Sequence, residues 1–281
     1  EHLLAEGHKV VSLDIVADAR EHERLTSLVI DIGESDAVEA VFAEHGSFDA
    51  VFHLAAMLAH DVKDKDQLWQ TNVNGTAHIA DACIRHGIRQ LVFTSSNCLW
   101  GTALGRPVRE EDTPHPVEVY GRSKLAAEEI LLARKGDLHS VIIRCPTIIA
   151  AGRLGLLAIL FEFIDEGRKV WVVGGGKNRY QFIYAPDLVE ACQKAAKHAQ
   201  TATFHIGSDD VRSFKAVYEY VITQAGSNSR VASLPRRPTL LAMRLAYALG
   251  MSPLGPYQYK MIAEDFVFDT GKIKRELAWQ P

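Results

Sequence analysis

"RQLVFTSS" (residues 89–96) is the segment on which the fold depends. It runs from a polar pair through Leu, Val and Phe and ends in Thr94, Ser95 and Ser96. A short apolar run with polar ends predicts a buried strand whose carboxyl end carries hydroxyl groups. Amphipathic and apolar segments alternate around it, at 64–87, 119–136 and 138–149. This order of helix, strand, helix and strand predicts a parallel sheet covered by helices on both faces.

The same alternation extends to both ends of the chain. Further strands are predicted at 9–15, 25–32, 49–56 and 169–176, and helices at 36–46, 154–167, 185–199 and 213–226. We therefore predict the α/β class, with a doubly wound parallel sheet (a Rossmann fold) in residues 1–149. A smaller, mixed α/β substrate domain, partly interwoven with the first, is expected in residues 150–281. Ligands of such sheets bind at the carboxyl ends of the strands.

The first residues lack the pattern expected at the start of such a sheet. "EHLLAEGHKVV" (residues 1–11) resembles the second half of a helix followed by a strand, with no glycine-rich turn before it. A dinucleotide-binding sheet opens with a central strand and that turn. Loss of a central strand would expose two strand edges. We therefore expect roughly twenty further residues upstream, which would carry the glycine motif.

Composition excludes several classes of function. The 281 residues are 47% hydrophobic and 23% charged, with a net charge of −4 and no basic stripe, so no nucleic-acid partner is expected. The four cysteines form no CxxC pair and the twelve histidines show no metal-ligand spacing, which predicts free thiols, a reducing cytoplasm and no metal. No apolar run is long enough to span a membrane. Residues 240–251 are predicted to form a core or pocket-covering helix rather than one on a membrane surface.

Three predicted strand ends could hold a dinucleotide. Asp14 follows the strand at 9–15, where an acid can accept both ribose hydroxyls and repel a 2′-phosphate, which favours NAD. A turn-capping role for Asp14 is the alternative. Asp31 and Ile32 end the next strand, where the adenine ring would lie. Small residues let a backbone approach the cofactor closely at the end of the third strand, which reads Leu54, Ala55 and Ala56.

"VYGRSKLAAEE" (residues 119–129) puts Tyr120 and Lys124 one helical turn apart on one face. A tyrosine with a pKa of about 10 is too weakly acidic to act as a base near neutral pH. A nearby ammonium group and a positively charged nicotinamide both favour the phenolate and lower that pKa. A hydroxyl from the strand end, Ser96, can hold the substrate oxygen beside the tyrosine. The three residues are therefore predicted to be catalytic.

These motifs together resemble the extended short-chain dehydrogenase/reductases of the NAD-dependent epimerase/dehydratase family. The resemblance covers essentially the whole chain and rests on "HLAA", "NVNGT", "TSSNCLWG", "YGRSK", "RCPTII", "FIYAPDLVEA", "FHIGSDD" and "FDTGKIKRELAWQP". It implies NAD as the cofactor and a homodimer built on the helices at 64–87 and 119–136. It implies catalytic roles for Ser96, Tyr120 and Lys124, and cofactor contacts from Asn72, Thr94, Pro146, Tyr120 and Lys124. The substrate-contacting positions it implies are Ser96, Asn97, Thr147 and Arg179.

Departures from the family pattern narrow the activity. Sugar-nucleotide 4,6-dehydratases of this family carry an Asp-Glu pair where this chain has Asn97 and Cys98, so a dehydratase is disfavoured. Tyr180 stands where epimerases often have an arginine that meets the substrate diphosphate, although Arg179 is adjacent. The leading hypothesis is a nucleotide-sugar 4-epimerase. The alternative is a dehydrogenase or reductase of an apolar alcohol, because "RCPTII" and the segment at 234–250 also resemble the 3β-hydroxysteroid dehydrogenases.

A third hypothesis is a non-catalytic NAD-sensing or scaffold protein on the same fold. The presence of Ser96, Tyr120 and Lys124 argues against it, because a protein that only binds NAD need not keep all three.

Overall fold

A computed structural model describes residues 1–46, 48–58, 65–150, 156–252 and 255–281. The strands are β1 Val10–Asp14, β2 Leu25–Val29, β3 Val51–His53, β4 Gln90–Ser96, β5 His139–Cys145, β6 Thr147–Ile149, β7 Val170–Val173, β8 Phe182–Tyr184, β9 Ala202–His205 and β10 Val231–Leu234. The helices are α1 His2–Ala5, α2 Ser35–His45, α3 Lys65–Trp69, α4 Gly75–Arg85, α5 Val119–Ala133, α6 Leu156–Asp165, α7 Ala185–Ala195, α8 Phe214–Gln224, α9 Arg236–Ala248, α10 Pro256–Met261 and α11 Gly271–Glu276. The predicted α/β class is confirmed.

The strands form parallel pairs, as the sequence predicted. The largest sheet has the order β3-β4-β5-β9, and β3 and β4 run parallel in it. β1 pairs with β2, β6 with β8 and β7 with β10, each in parallel, in three separate two-stranded sheets. β4 and β5 are buried along nearly their whole length, which is why their sequences are almost continuously apolar.

Helices α2, α4 and α5 pack their apolar side chains on this sheet. The resulting core contains residues from β4, β5 and all three helices, among them Phe42, Ile79, Phe93, Leu131 and Ile142. Each of these side chains is less than 5% exposed. The core fixes the sheet and so fixes the carboxyl ends of its strands.

The helix predicted at 64–87 contains a π-helical segment. It runs as α3, a π turn over Gln70–Asn74, and then α4. A π turn adds one residue to a helical turn and is frequent at functional sites. It carries Asn72, and periodicity in the sequence gave no sign of it.

The single strand predicted at 138–149 is two strands in different sheets. β5 ends at Cys145 and β6 begins at Thr147. Pro146 between them has no N–H to donate, so a ladder of hydrogen bonds cannot continue through it.

Residues 240–251 were predicted to lie in a core or over a pocket, and the first of these two roles was wrong. They fall largely in α9, a helix with no buried residue. Leu241 and Leu245 are 58% and 56% exposed. No helix within the described ranges is long and apolar enough to cross a membrane.

The chain divides into two compact units. Unit 1 contains Glu1–Ser95, Arg122–Ile143 and Val189–Thr203. Unit 2 contains Ser96–Gly121, Arg144–Leu188 and Phe204–Pro281. All four cysteines are free, and Cys83, Cys145 and Cys192 are buried.

Candidate active site

Ser96 ends β4 and starts a short 3₁₀ turn, Asn97–Leu99. Its Oγ accepts a hydrogen bond from the N–H of Cys98 at 3.2 Å, and the side chain is 8% exposed. This cap fixes the position of the Ser96 hydroxyl oxygen, and the hydroxyl itself donates to Oδ1 of Asn97 at 3.5 Å. Thr94, two residues earlier, is half-buried.

The start of α5 packs directly on this turn within unit 2. A Cβ atom at Gly121 would lie 2.4 Å from the carbonyl oxygen of Cys98 and 2.9 Å from Cβ of Pro116. No side chain fits there, so glycine lets the helix backbone approach the turn. Tyr120 is half-buried and immediately precedes this contact. The sequence prediction singled out Tyr120 and Lys124 but gave no reason for the glycine between them.

Lys124 lies one turn after Tyr120 on α5 and is 2% exposed. Its Nζ stands 4.1 Å from the centroid of the Phe93 ring, a cation–π contact that offsets part of the cost of burying the charge. Glu128, one turn further along α5, is also buried. The ammonium group of Lys124 is therefore held in a buried position near the start of α5.

His53 joins the end of β3 to the helix that contains the π turn. Its Nε2 lies 2.8 Å from Oγ1 of Thr76, and that hydroxyl donates to the carbonyl of Asn72 at 2.7 Å. Because the threonine proton is used in that second bond, Nε2 of His53 must be the donor in the first. Burial and the charge of Lys124 lower the pKa of His53 to about 3, so the ring is neutral. Neutral His53 adds no charge that would oppose that of Lys124.

Asn72 ties three segments of unit 1 together. Its Oδ1 accepts from the N–H of Met57 at 2.8 Å, and its Nδ2 donates to the carbonyl of Met57 and to Oγ of Ser123, both at 3.0 Å. The side chain is 2% exposed. The amide therefore fixes the loop after β3 against the π turn and α5. The sequence placed Asn72 at the cofactor's edge, and these three bonds give it an additional structural role.

The predicted adenosine-side residues lie at strand ends in unit 1. Asp14 is exposed at the end of β1, and its Oδ1 accepts from the N–H of Val16 at 3.0 Å. Asp14 therefore caps a turn, as the alternative predicted, and its second carboxylate oxygen can accept a hydrogen bond from a ligand. Asp31 caps the next turn through the N–H of Gly33 at 2.8 Å, and Ile32 is buried.

The residues after β3 present an open apolar surface. Leu54 is 58% exposed, Ala55 is exposed and Ala56 is half-buried. An apolar surface at a strand's carboxyl end fits a planar, uncharged ligand group.

Two predicted substrate residues are joined by a third that the sequence treated only as a replacement. In unit 2, Nδ2 of Asn97 donates to the hydroxyl oxygen of Tyr180 at 3.2 Å, and that oxygen lies 2.6 Å from Oγ1 of Thr147. Tyr180 is 4% exposed and stacks on Phe214 at 5.6 Å. No motif in the sequence indicated that this hydroxyl bridges residues 97 and 147.

Pro146 and Asn97 line one small cavity of unit 2. Its other walls come from Trp100, Val108, Gln181, Phe266, Val267 and Phe268. Nε1 of Trp100 is buried and has no hydrogen-bond partner within the part of the chain that the structure describes.

A buried histidine that the sequence missed supports this cavity. His205 Nδ1 donates to the carbonyl of Val108 at 3.1 Å, and Nε2 faces Nη1 of Arg144 at 3.4 Å. The ring stacks on Phe268 at 4.1 Å and meets Trp100 edge-on at 5.5 Å. Burial and the charge of Arg144 lower the pKa of His205 to about 3. Only the motif "FHIGSDD" marked this histidine, and it did not indicate its contacts.

Arg179 is held by an acid. Its guanidinium lies 3.2 Å from Oδ2 of Asp265, and its backbone N–H donates to Oδ1 at 2.8 Å. The side chain is 47% exposed. An anionic ligand would have to share the guanidinium with Asp265.

Comparison with known proteins identifies relatives over the whole chain. The model of the "NAD dependent epimerase/dehydratase family" matches residues 1–207. Uncharacterized protein y4nG of Sinorhizobium fredii is 37% identical over 283 residues, which cover 100% of this chain and 70% of that protein. Probable UDP-arabinose 4-epimerase 3 of Arabidopsis thaliana is 28% identical over 244 residues, with 76% of this chain and 59% of that protein covered. The chain thus spans about three fifths of the length of the epimerase relative.

Solved structures have the same fold. The Bordetella bronchiseptica enzyme WbmG, crystallised with NAD and UDP, superposes with a TM-score of 0.81 at 19% identity. The superposition covers 99% of this chain and 84% of that one.

Proposed function

Because the chain belongs to the NAD-dependent epimerase/dehydratase family, we propose that it is an NAD-dependent nucleotide-sugar 4-epimerase. Its reaction would oxidise a secondary alcohol of the sugar transiently and reduce it again with inverted configuration. The 28% identity to a probable UDP-arabinose 4-epimerase and the likeness to an enzyme crystallised with NAD and UDP support this proposal. The observation that carries it is the placement of Tyr120 and Lys124 one turn apart on α5, with the helix start packed on the turn that Ser96 caps.

The residues at the strand ends suit NAD. Exposed Asp14 would accept the adenosine ribose hydroxyls, beside Asp31 and Ile32. Leu54, Ala55 and Ala56 offer an apolar surface. The Asn72 amide holds the backbone of Met57, which follows them, through two hydrogen bonds. Thr94, Pro146, Tyr120 and Lys124 would complete the nicotinamide half of the site. We assign the cofactor to residues 1–149 and the substrate chiefly to residues 150–281.

Bound NAD supplies a reversible hydride acceptor. Tyr120, as the phenolate, takes the proton from the sugar hydroxyl, and the ammonium group of Lys124 stabilises that phenolate. Ser96 donates a hydrogen bond to the reacting oxygen. After the keto sugar has rotated in the site and presents its other face to the cofactor, Tyr120 returns the proton to the same oxygen on the product. No net redox change results.

The sugar nucleotide would meet unit 2. Asn97 and Thr147, joined through Tyr180, are the proposed contacts to sugar hydroxyls, since amide and hydroxyl groups pair well with them. Arg179, whose partner is Asp265, is the proposed contact to a phosphate.

The direct test uses the purified protein. Released nucleotide is assayed after denaturation, and native protein is incubated with UDP-glucose and UDP-arabinose while products and absorbance at 340 nm are followed. Bound NAD and an epimerised sugar without steady NADH formation support the proposal. Tyr120→Phe should abolish turnover and keep NAD content. A Tyr120→Phe protein with unchanged turnover would overturn the catalytic assignment of Tyr120, whereas a wild-type protein that binds NAD and turns over none of the substrates would favour a binding-only protein.

A dehydrogenase of an apolar alcohol is the second candidate. The exposed leucines of α9 favour it, because an apolar helix suits a sterol-like substrate better than a sugar diphosphate. Steady NADH production from a 3β-hydroxysterol, with no sugar turnover, would establish this candidate instead.

A cytoplasmic homodimer is part of the proposal. Four free cysteines are compatible with a reducing compartment. Trp69 and Leu132, 39% and 38% exposed, leave apolar surface on α3 and α5, the helices expected to form the dimer interface. Light scattering of the purified protein measures the oligomeric state.

A further inference from the structure

We infer that α9 is an interfacial helix that docks the protein on the surface of an anionic lipid bilayer. The inference concerns a face of unit 2 and does not depend on the proposed epimerase activity. It rests on three features of the described residues: an apolar solvent-facing strip, a stretch of chain without acids, and the length of the helix.

The solvent-facing strip of α9 is apolar throughout. Leu241, Leu245 and Leu249 recur every four residues on one face and are 58%, 56% and 72% exposed. Ala242 and Ala248 lie on the same side and are also exposed. The polar residue Thr239, together with Met243 and Ala246, is half-buried on the opposite side. Surface helices normally turn a polar face to water, so the apolar solvent-facing strip of this helix departs from the usual pattern.

The charged residues in the stretch of sequence that contains the strip are all positive. Residues 220–263 contain no Asp or Glu, although the whole chain carries 35 acids and has a net charge of −4. The same stretch holds five cations, namely Arg230, Arg236, Arg237, Arg244 and Lys260. Arg237 and Arg244 are exposed and lie seven residues apart, along one edge of the leucine strip. Cations that border an apolar helix face match anionic headgroups above an acyl layer.

Charge also argues against a second copy of this chain as the occupant. A two-fold contact through α9 would bring Arg237 and Arg244 of two molecules together. Arg236 lies 3.6 Å from Glu264, an acid just after the stretch. In such a dimer, however, Arg237 and Arg244 of one molecule would face arginines of the other, and like charges repel.

The length of α9 excludes insertion across the bilayer. Its 13 residues make a helix of about 20 Å, short of the roughly 30 Å hydrocarbon core. The helix would therefore lie in the plane of the interface, with the leucines among the upper acyl carbons and the arginines at the phosphates.

Vesicle sedimentation of the full chain, without substrate or added NAD, tests the inference. The protein is mixed at low salt with vesicles of phosphatidylcholine alone or with 30% phosphatidylglycerol. We expect sedimentation with the anionic vesicles, reduced by salt. Leu245→Glu should weaken it at least about tenfold. The double variant Arg237→Gln and Arg244→Gln should weaken binding to anionic vesicles roughly thirtyfold and leave weak binding to neutral vesicles unchanged.

Tyr220→Glu is the matched control, because Tyr220 on α8 is 55% exposed, against 56% for Leu245. It should bind vesicles as the wild type does. Thermal unfolding of each variant verifies that it is folded. The inference is overturned if the wild type stays in solution with anionic vesicles, or if Tyr220→Glu loses as much binding as Leu245→Glu. A dimeric wild type that does not bind vesicles, and that becomes monomeric with Leu245→Glu, would also overturn the inference. In that case a second copy of the chain would cover the strip.

Discussion

Gly121 and the carbonyl oxygen of Cys98 are so close that a Cβ atom on residue 121 would lie 2.4 Å from that oxygen. This contact sets the first turn of α5, with Tyr120, against the turn that Ser96 caps. Both partners are backbone, so neither can rotate away from an added methyl group.

Gly121→Ala should therefore shift α5 away from the turn. We expect a loss of about 1–3 kcal/mol in the free energy of unfolding and at least a roughly tenfold lower kcat. Urea denaturation and a turnover assay measure the two effects. Gly136→Ala is the matched control, because nothing lies within 4 Å of the Cβ position there. Equal effects at the two positions would contradict the steric argument.

Thr76→Val should disrupt the hydrogen bonds that join β3 to the π turn. The valine has nearly the same shape but leaves the Asn72 carbonyl and Nε2 of His53 without their partner at Thr76. Each buried group left unpaired costs about 1–3 kcal/mol, so the free energy of unfolding should fall by at least that amount. Thr76→Ser keeps the hydroxyl and should recover most of the stability in urea denaturation. A serine variant as unstable as the valine variant would mean that methyl packing, not hydrogen bonding, matters here.

Protonation of His205 should make the protein less stable in mild acid. The folded pKa of His205 is about 3, below the ordinary value of 6.5. Between these values the unfolded chain binds a proton that the folded chain does not, so stability is complete above pH 6.5 and falls as the pH drops. The slope approaches about 1.4 kcal/mol per pH unit for this residue. Neutral His53 adds a second contribution of the same sign.

His205→Asn removes one of these two contributions. The free energy of unfolding of the wild type, minus that of this variant, should decrease by about 1.5–2 kcal/mol when the pH is lowered from 7 to 5. Urea denaturation at the two pH values measures this difference. A difference independent of pH would mean that His205 has the same pKa in the folded and the unfolded protein.

Tyr180→Phe should separate Asn97 from Thr147. The variant keeps the ring that stacks on Phe214 and loses the hydroxyl that both residues contact. We expect kcat/KM to fall roughly two- to tenfold, mainly through KM, with unchanged NAD content. Tyr218→Phe removes a hydroxyl from the same aromatic cluster and should leave kcat/KM unchanged. An unchanged kcat/KM in Tyr180→Phe would mean that the hydrogen bonds joining Asn97, Tyr180 and Thr147 have no role in substrate binding.

Local sequence signals were sufficient for the fold class and for the candidate residues of α5. The apolar runs at β4 and β5 and the helical periodicity of α2 and α5 reflect burial, and burial is what the sheet imposes on them. Tyr120 and Lys124 could be selected because their spacing lies within one helix. Residues whose roles depend on distant partners could not be found this way.

Tyr180 and His205 illustrate that limit. The partners of Tyr180 lie at positions 97 and 147, and those of His205 at 108, 144 and 268. No periodic pattern encodes such contacts. The burial of α9 was mispredicted for a related reason, because an apolar segment has the same composition whether it faces a core or an outside surface.

The π turn at Gln70–Asn74 makes this part of the molecule depend on the number of residues in the chain as well as on their identity. If the same five residues adopted regular α geometry, the extra residue would no longer be absorbed, and everything after them would rotate by about 100°. Thr76 would then point away from His53, and α4 would offer another stripe to the sheet. The wide turn therefore sets which face of α4 packs on the sheet.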